Sequence, residues 1–293
     1  MRFKMNTRPS PMKFKVTGFL LKGVDIAYNK LVHLNLQNTS LEEVLQIIRD
    51  APLLEICYLS MVSRPIDGFH VPQTIIRLPY LQTFNLSLIK ETEVFHKLIN
   101  SLELPSMESW SVDLMGSSVG QVDEEMISFL KRFGCSLKTL CIRQDRAPAP
   151  AVEDFKRFLQ AAPSLQHLRV DCPSSPLMDS ILERISTSPP QPTLQTGRAV
   201  GFLSDLQSLE LTLIGSQFKN AWACIPLIFR WPHRKILNLD IRVTMYSVTI
   251  GDDVLGELAQ LVDQGIKLRI YDILEQQDYL LTFREGATVE SRN

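Results

Sequence analysis

Residues 116–120 read Gly-Ser-Ser-Val-Gly, the G-x-S-x-G spacing that lifts a serine hydroxyl onto a sharp strand-to-helix turn in acyl-transfer enzymes. Such a nucleophile also needs an oxyanion loop, then an acid and a histidine later in the chain. No HGGG-like segment exists, and the later histidines, His167 and His233, fall within and just before apolar repeat segments. A serine hydrolase built on Ser118 is therefore the alternative reading, and a repeat loop the preferred one. The five cysteines, 57, 135, 141, 172 and 224, form no C-x-x-C pair, and the five histidines no H-x-x-x-H pair, so no metal site is expected. There is no Walker sequence and no GxGxxG to cradle a phosphate. The expectation is a protein that is not an enzyme, with no catalytic residue, no cofactor and no metal.

Composition narrows the remaining classes. Hydrophobic residues make up 45% of 293, enough for a substantial core. Thirty-one Lys plus Arg balance 32 Asp plus Glu, so bulk charge supports neither a nucleic-acid nor a membrane partner. An odd number of irregularly spaced cysteines suits a reducing compartment. The basic N-terminus has no apolar core of signal-peptide length, and no run approaches 18 apolar residues. The expected location is intracellular, cytoplasmic or nuclear.

What organises the chain is a repeat. The pattern apolar-x-x-apolar-x-apolar occurs at Val16/Phe19/Leu21, Leu31/Leu34/Leu36, Leu54/Cys57/Leu59, Leu81/Phe84/Leu86 and Met107/Trp110/Val112. It continues at Leu137/Leu140/Ile142, Leu165/Leu168/Val170, Leu206/Leu209/Leu211 and Ile236/Leu239/Ile241. From Leu31 the starts are 23, 27, 26, 30, 28, 41 and 30 residues apart, at or just above leucine-rich-repeat spacing. Between them lie stripes of period 3.6, such as Leu41/Val44/Leu45/Ile48 and Met126/Phe129/Leu130/Phe133, several opened by acids. One strand and one helix per unit cannot bury their apolar sides alone, so units must stack. The fold predicted is an α/β leucine-rich-repeat solenoid, a horseshoe with a curved parallel sheet on its concave face and helices on its convex face.

The predicted organisation is a basic, disordered N-terminus over 1–11, an irregular solenoid over 12–283 and a polar tail over 284–293. Three prolines in 64–79 (Pro65, Pro72 and Pro79) predict a loop in place of a helix. The segment 188–204, containing SPPQP, reads as an insertion or alternatively as a hinge.

Five phrases carry a resemblance: GVDIAYNKLVHLNLQNTSLEEVLQIIRDAPLLE (23–55), LPYLQTFNLS (78–87), FLKRFGCSLKTLCI (129–142), FLQAAPSLQHLRVDC (158–172) and LSDLQSLELT (203–212). Their succession resembles the leucine-rich region of fungal F-box-like proteins. The resemblance implies a solenoid that holds a substrate, in proteins whose F-box docks on the adaptor of a cullin-RING ubiquitin ligase. No Leu-Pro-x-Glu-like helical module precedes the first repeat here. The adaptor is therefore expected as a partner only if an F-box is supplied upstream. A truncated, non-functional receptor is the third reading.

If positions one, four and six of each unit point inward, positions three, five and seven form the open sheet face. Its bases are Lys22, Arg143, Arg169 and Arg242, and its acids Asp113, Asp171, Glu210 and Asp240. Mixed charge with a single aromatic, Tyr58, suits a protein or peptide rather than a phosphate backbone. Tyr58, Arg143, His167, Arg169, Asp171 and Arg242 are the predicted partner-binding anchors, because Tyr and Arg dominate interface hot spots.

Overall fold

Alternating burial along short strands, and one buried stripe per helix, build the protein in the computed structural model. The model describes residues 9–18, 26–64, 75–87, 91–113, 124–133, 136–143, 152–172, 175–188, 191–192, 199–214, 221–244 and 250–290. The chain divides into two units, Met1–Leu137 and Lys138–Asn293.

In unit 1 the strands are β1 (Lys13–Thr17), β2 (His33–Gln37), β3 (Ile56–Ser60), β4 (Ile76–Arg77), β5 (Thr83–Ser87), β6 (Leu102–Glu103) and β7 (Ser109–Asp113). The helices are α1 (Leu41–Arg49), α2 (Thr92–Asn100) and α3 (Glu124–Phe133). β1, β2, β3, β5 and β7 pair in that order, all parallel. Leu34, Leu36, Cys57, Leu59, Phe84 and Leu86 point inward and are buried. The helical stripes meet them: Leu41, Val44 and Ile48 on α1, Phe95 and Leu98 on α2, Met126 and Phe129 on α3. α1 neighbours α2 and α2 neighbours α3, giving one helical layer over one sheet. Where 64–79 was predicted to lack a helix, the described part carries β4, paired in parallel with β6.

Two backbone devices repeat from rung to rung. The carbonyl before each strand accepts two N–H groups of the next rung: Val32 from Glu55 and Ile56, Glu55 from Gln82 and Thr83, Gln82 from Glu108 and Ser109. At the strand ends Gly18, Asn38 and Met61 take φ of 76°, 56° and 55°, and the N–H of each donates to the last strand carbonyl of the next rung at 3.0 Å. Gly and Asn tolerate that left-handed conformation; Met61 is the uncommon one. Ser40 then opens α1 with a capping box, its hydroxyl accepting from Glu43 N–H while the Glu43 carboxylate accepts from Ser40 N–H.

Unit 2 repeats the plan. Its strands are β8 (Thr139–Arg143), β9 (His167–Cys172), β10 (Gln191–Pro192), β11 (Ala199–Val200), β12 (Ser208–Ile214), β13 (Asn238–Thr244), β14 (Leu268–Asp272) and β15 (Gln277–Asp278). Its helices are α4 (Val152–Gln160), α5 (Ser175–Thr187), α6 (Cys224–Ile228), α7 (Asp252–Asp263) and α8 (Tyr279–Glu290). β8, β9, β12, β13 and β14 pair in parallel in that order, and β15 folds back antiparallel on β14. Lys138 O and Gln166 O each accept two N–H groups of the next rung, as in unit 1. Both units are thus mixed α/β with a mainly parallel sheet.

The structure revises the sequence reading at four places. In the first rung Val16 aligns with Leu36 and Phe14 with Leu34, so Val16 does not open the unit as Leu31 does; Phe19 and Leu21 lie outside the described residues. The last predicted rung starts one residue later, because Leu237 is buried while Ile236 is 70% exposed. Arg234 sets that choice. It is fully buried, donates from Nη1 to Leu203 O at 2.6 Å and from Nη2 to Phe202 O at 2.7 Å, and its carbonyl accepts from Leu237 N–H. A further rung, β14, follows, with Leu268 and Ile270 inward. Residues 284–290, read as polar tail, belong to α8, and within 188–204 the described residues include the antiparallel pair β10–β11.

Candidate docking face

Parallel in-register pairing puts outward residues of successive strands side by side, so charges distant in sequence become neighbours. In unit 2 the register sets Arg143 beside Asp171, Arg169 beside Glu210, Glu210 beside Asp240, and Thr212 beside Arg242. The side chains close a network across the face. Asp171 takes Arg143 Nε at 3.3 Å and Arg169 Nε at 3.2 Å. Arg169 Nη1 lies 3.6 Å from Glu210 Oε2, which Arg242 Nη2 approaches at 4.0 Å. Arg242 Nη2 donates to Asp240 Oδ2 at 2.7 Å.

Two of the carboxylates lie deep, while Glu210, 36% exposed, is as shallow as the guanidinium groups. Asp171 and Asp240 side chains are 12% and 14% exposed, against 34–48% for the three arginines. Hydrogen bonds to Asp171 and to Asp240 hold the Arg169 and Arg242 guanidiniums above the ordinary arginine range, opposed by partial burial. One acceptor stays unsatisfied: Asp240 Oδ1 is buried and has no hydrogen-bond partner. A buried lone acceptor costs stability until a donor reaches it.

The next strand carries the polar face onward. Arg269 lies in register with Asp240, its guanidinium 4.4 Å from the centroid of the Tyr271 ring and its Nε 3.5 Å from Asp278. Asp278 also accepts N–H bonds from Leu280 and Leu281, which anchors the start of α8.

Of the predicted anchors, Arg143, Arg169, Asp171 and Arg242 are brought into one network. His167 opens β9 on the same face, in register with Thr139 and Ser208. Tyr58 lies on the face of unit 1 and is 41% exposed. Arg269, Tyr271 and Asp278 were missed; the alternation Ile266-Lys267-Leu268-Arg269-Ile270 was the available signal. The G-x-S-x-G segment at 116–120, with Ser118, lies outside the described residues, as do Lys22 and Cys135. Among the described residues no group of three or more His, Cys, Asp and Glu side chains is placed to hold a metal ion. No described helix is long and apolar enough to cross a membrane.

Comparison of the chain with known protein families and with curated proteins returns no match.

Proposed function

We propose that the chain is a protein-interaction module, a leucine-rich-repeat solenoid that presents the open face of its parallel strands to a protein or peptide. The observation that carries this reading is the connected Arg143–Asp171–Arg169–Glu210–Arg242–Asp240 network. Fixed, half-desolvated charges of both signs select a partner by complementarity and reject mismatched ones. Nothing in this mechanism requires a covalent step: the partner is held, not transformed. The resemblance to fungal F-box-like proteins gives the module a setting, the substrate-holding part of a ubiquitin-ligase receptor, with the adaptor engaged through an F-box supplied upstream.

The test is a combined Arg143→Glu, Arg169→Glu, Arg242→Glu variant, first checked for native circular dichroism. Proteins cross-linked to the wild-type chain in cells are expected to drop out in the variant. An unchanged set of partners rejects the charged face as the docking site.

A further inference from the structure

The face of unit 1 differs in chemistry from that of unit 2. On β2, β3 and β5 the outward residues are His33, Asn35, Gln37, Ile56, Tyr58, Ser60, Thr83, Asn85 and Ser87, with no lysine, arginine or carboxylate among them. The register places Asn35, Tyr58 and Asn85 in one row, with Lys15 beyond Asn35. Among the described residues neither the Asn35 nor the Asn85 side-chain amide has a hydrogen-bond partner, and the Tyr58 ring meets no other ring. Two free amides therefore flank an exposed aromatic ring. Lys13 and Lys15, exposed on β1, likewise have no ion-pair partner among the described residues.

We propose that this row binds an uncharged, proline-rich segment in polyproline II conformation, with an acidic residue at the end that lies over β1. Spacing is the first argument. Neighbouring strands sit about 4.8 Å apart, so Asn35 and Asn85, two strands apart, stand roughly 9.6 Å from each other. A polyproline II helix repeats every three residues, about 9.3 Å, and so offers equivalent carbonyls at that distance. Donor and acceptor types agree as well. Proline has no N–H, so such a segment displays carbonyls, and each asparagine NH2 supplies donors. Between the two amides, the flat Tyr58 ring matches a proline ring, the packing by which aromatic grooves read PxxP segments. Charge sets the direction: Lys13 and Lys15 favour acid on one side, and the central strands offer a charge nothing to pair with.

The inference shares with the proposed function only the open strand face, and it stands on unit 1 alone, so either can fail without the other. Two fluorescein-labelled peptides, Glu-Glu-Pro-Pro-Ala-Pro-Pro-Ala and its reverse order, are titrated against the full chain by fluorescence anisotropy. One order is expected to saturate. Asn35→Ala with Asn85→Ala, and Tyr58→Ala, are each expected to weaken it tenfold or more, and Lys15→Glu several-fold. Tyr58→Phe, which keeps the ring, is expected to stay within about twofold and so controls for misfolding. Arg169→Glu, on unit 2, is expected to leave binding unchanged. Failure of both peptides to saturate below about 1 mM overturns the proposal. So does equal binding of an analogue with glycine for every proline, or indifference to Tyr58→Ala.

Discussion

Arg169 directs its Nε at both carboxylate oxygens of Asp171, 3.2 Å from each, two residues along the same strand. Consecutive outward positions on a strand thus form a fork that cross-strand neighbours extend: Arg143 from one side of Asp171 and Glu210 from the other side of Arg169. On β13 the pairing runs the other way: Arg242 reaches back two residues and donates from Nε and Nη2 to one oxygen of Asp240. The face is preorganised before any partner arrives, which limits the ordering cost of association.

Asp171 is the member whose loss should matter most to the fold. Its carboxylate is 12% exposed and holds two arginines; removing it leaves their like charges facing each other. Asp171→Ala is expected to cost about 2 kcal/mol in urea unfolding, and Arg143→Ala, whose side chain is half exposed, under about 0.5 kcal/mol. Equal losses would show that Asp171 does not organise the network.

Trp110 is fully buried, and its ring centroid lies 5.0 Å from that of Phe129, tying β7 to α3. Trp110→Ala is expected to destabilise unit 1 by about 4 kcal/mol, and Trp110→Phe by clearly less, as measured by denaturant titration. A loss below about 1 kcal/mol would mean the strand and helix are not joined through this contact.

Cys57 fills the inward position that leucine or phenylalanine holds in other rungs, and burial pushes its thiol far up from the ordinary cysteine value. Iodoacetamide on the native protein is expected to label the half-exposed Cys141 while leaving Cys57 unmodified until unfolding. Peptide mapping of the alkylated protein checks this; native labelling of Cys57 would place β3 outside the core.

His233 gives a pH signature. Burial, helped by the neighbouring Arg234 charge, pulls its pKa below the ordinary 6.5, so the folded state takes up its proton later than the unfolded chain on acidification. Its contribution is complete above 6.5 and is lost as pH falls through 6.5 toward the lowered folded value. Thermal unfolding between about pH 7 and about pH 5 is expected to show a smaller acid-induced drop in Tm for His233→Asn than for wild type. Identical drops would remove His233 from the pH response.

Much of the architecture was legible because local periods carry it. The stripe Leu41/Val44/Leu45/Ile48 and the alternation Leu34/Leu36 each state which face is buried without reference to the rest of the chain. Phase was less legible than period. Ile236 and Leu237 are equally apolar neighbours, and the sequence offers no reason to bury one; the Arg234 clamp on Phe202 and Leu203 makes that choice through space. At the N-terminus the register sets Val16 beside Leu36, two inward positions further along its rung than the triplet spacing placed it. Of the site, the composition of the face was readable from alternation, but its pairing was not. Arg143 and Asp171 meet only because two strands 28 residues apart align in register. Arg269 escaped notice because Gly265 stands where the other rungs begin with an apolar residue, so Leu268 and Ile270 alternate without the full triplet, although the stripe of α7 precedes them.

Photo-crosslinking from single positions decides most directly whether the strand face is where a partner docks. Benzoylphenylalanine is placed in turn at Thr139, His167, Ser208 and Asn238 on the outward strand positions, and at the exposed helical positions Glu183 and Glu257. Adducts with a common partner from the strand positions, absent from both helical positions, are the expected result. Adducts from the helical positions with none from the strands would contradict it.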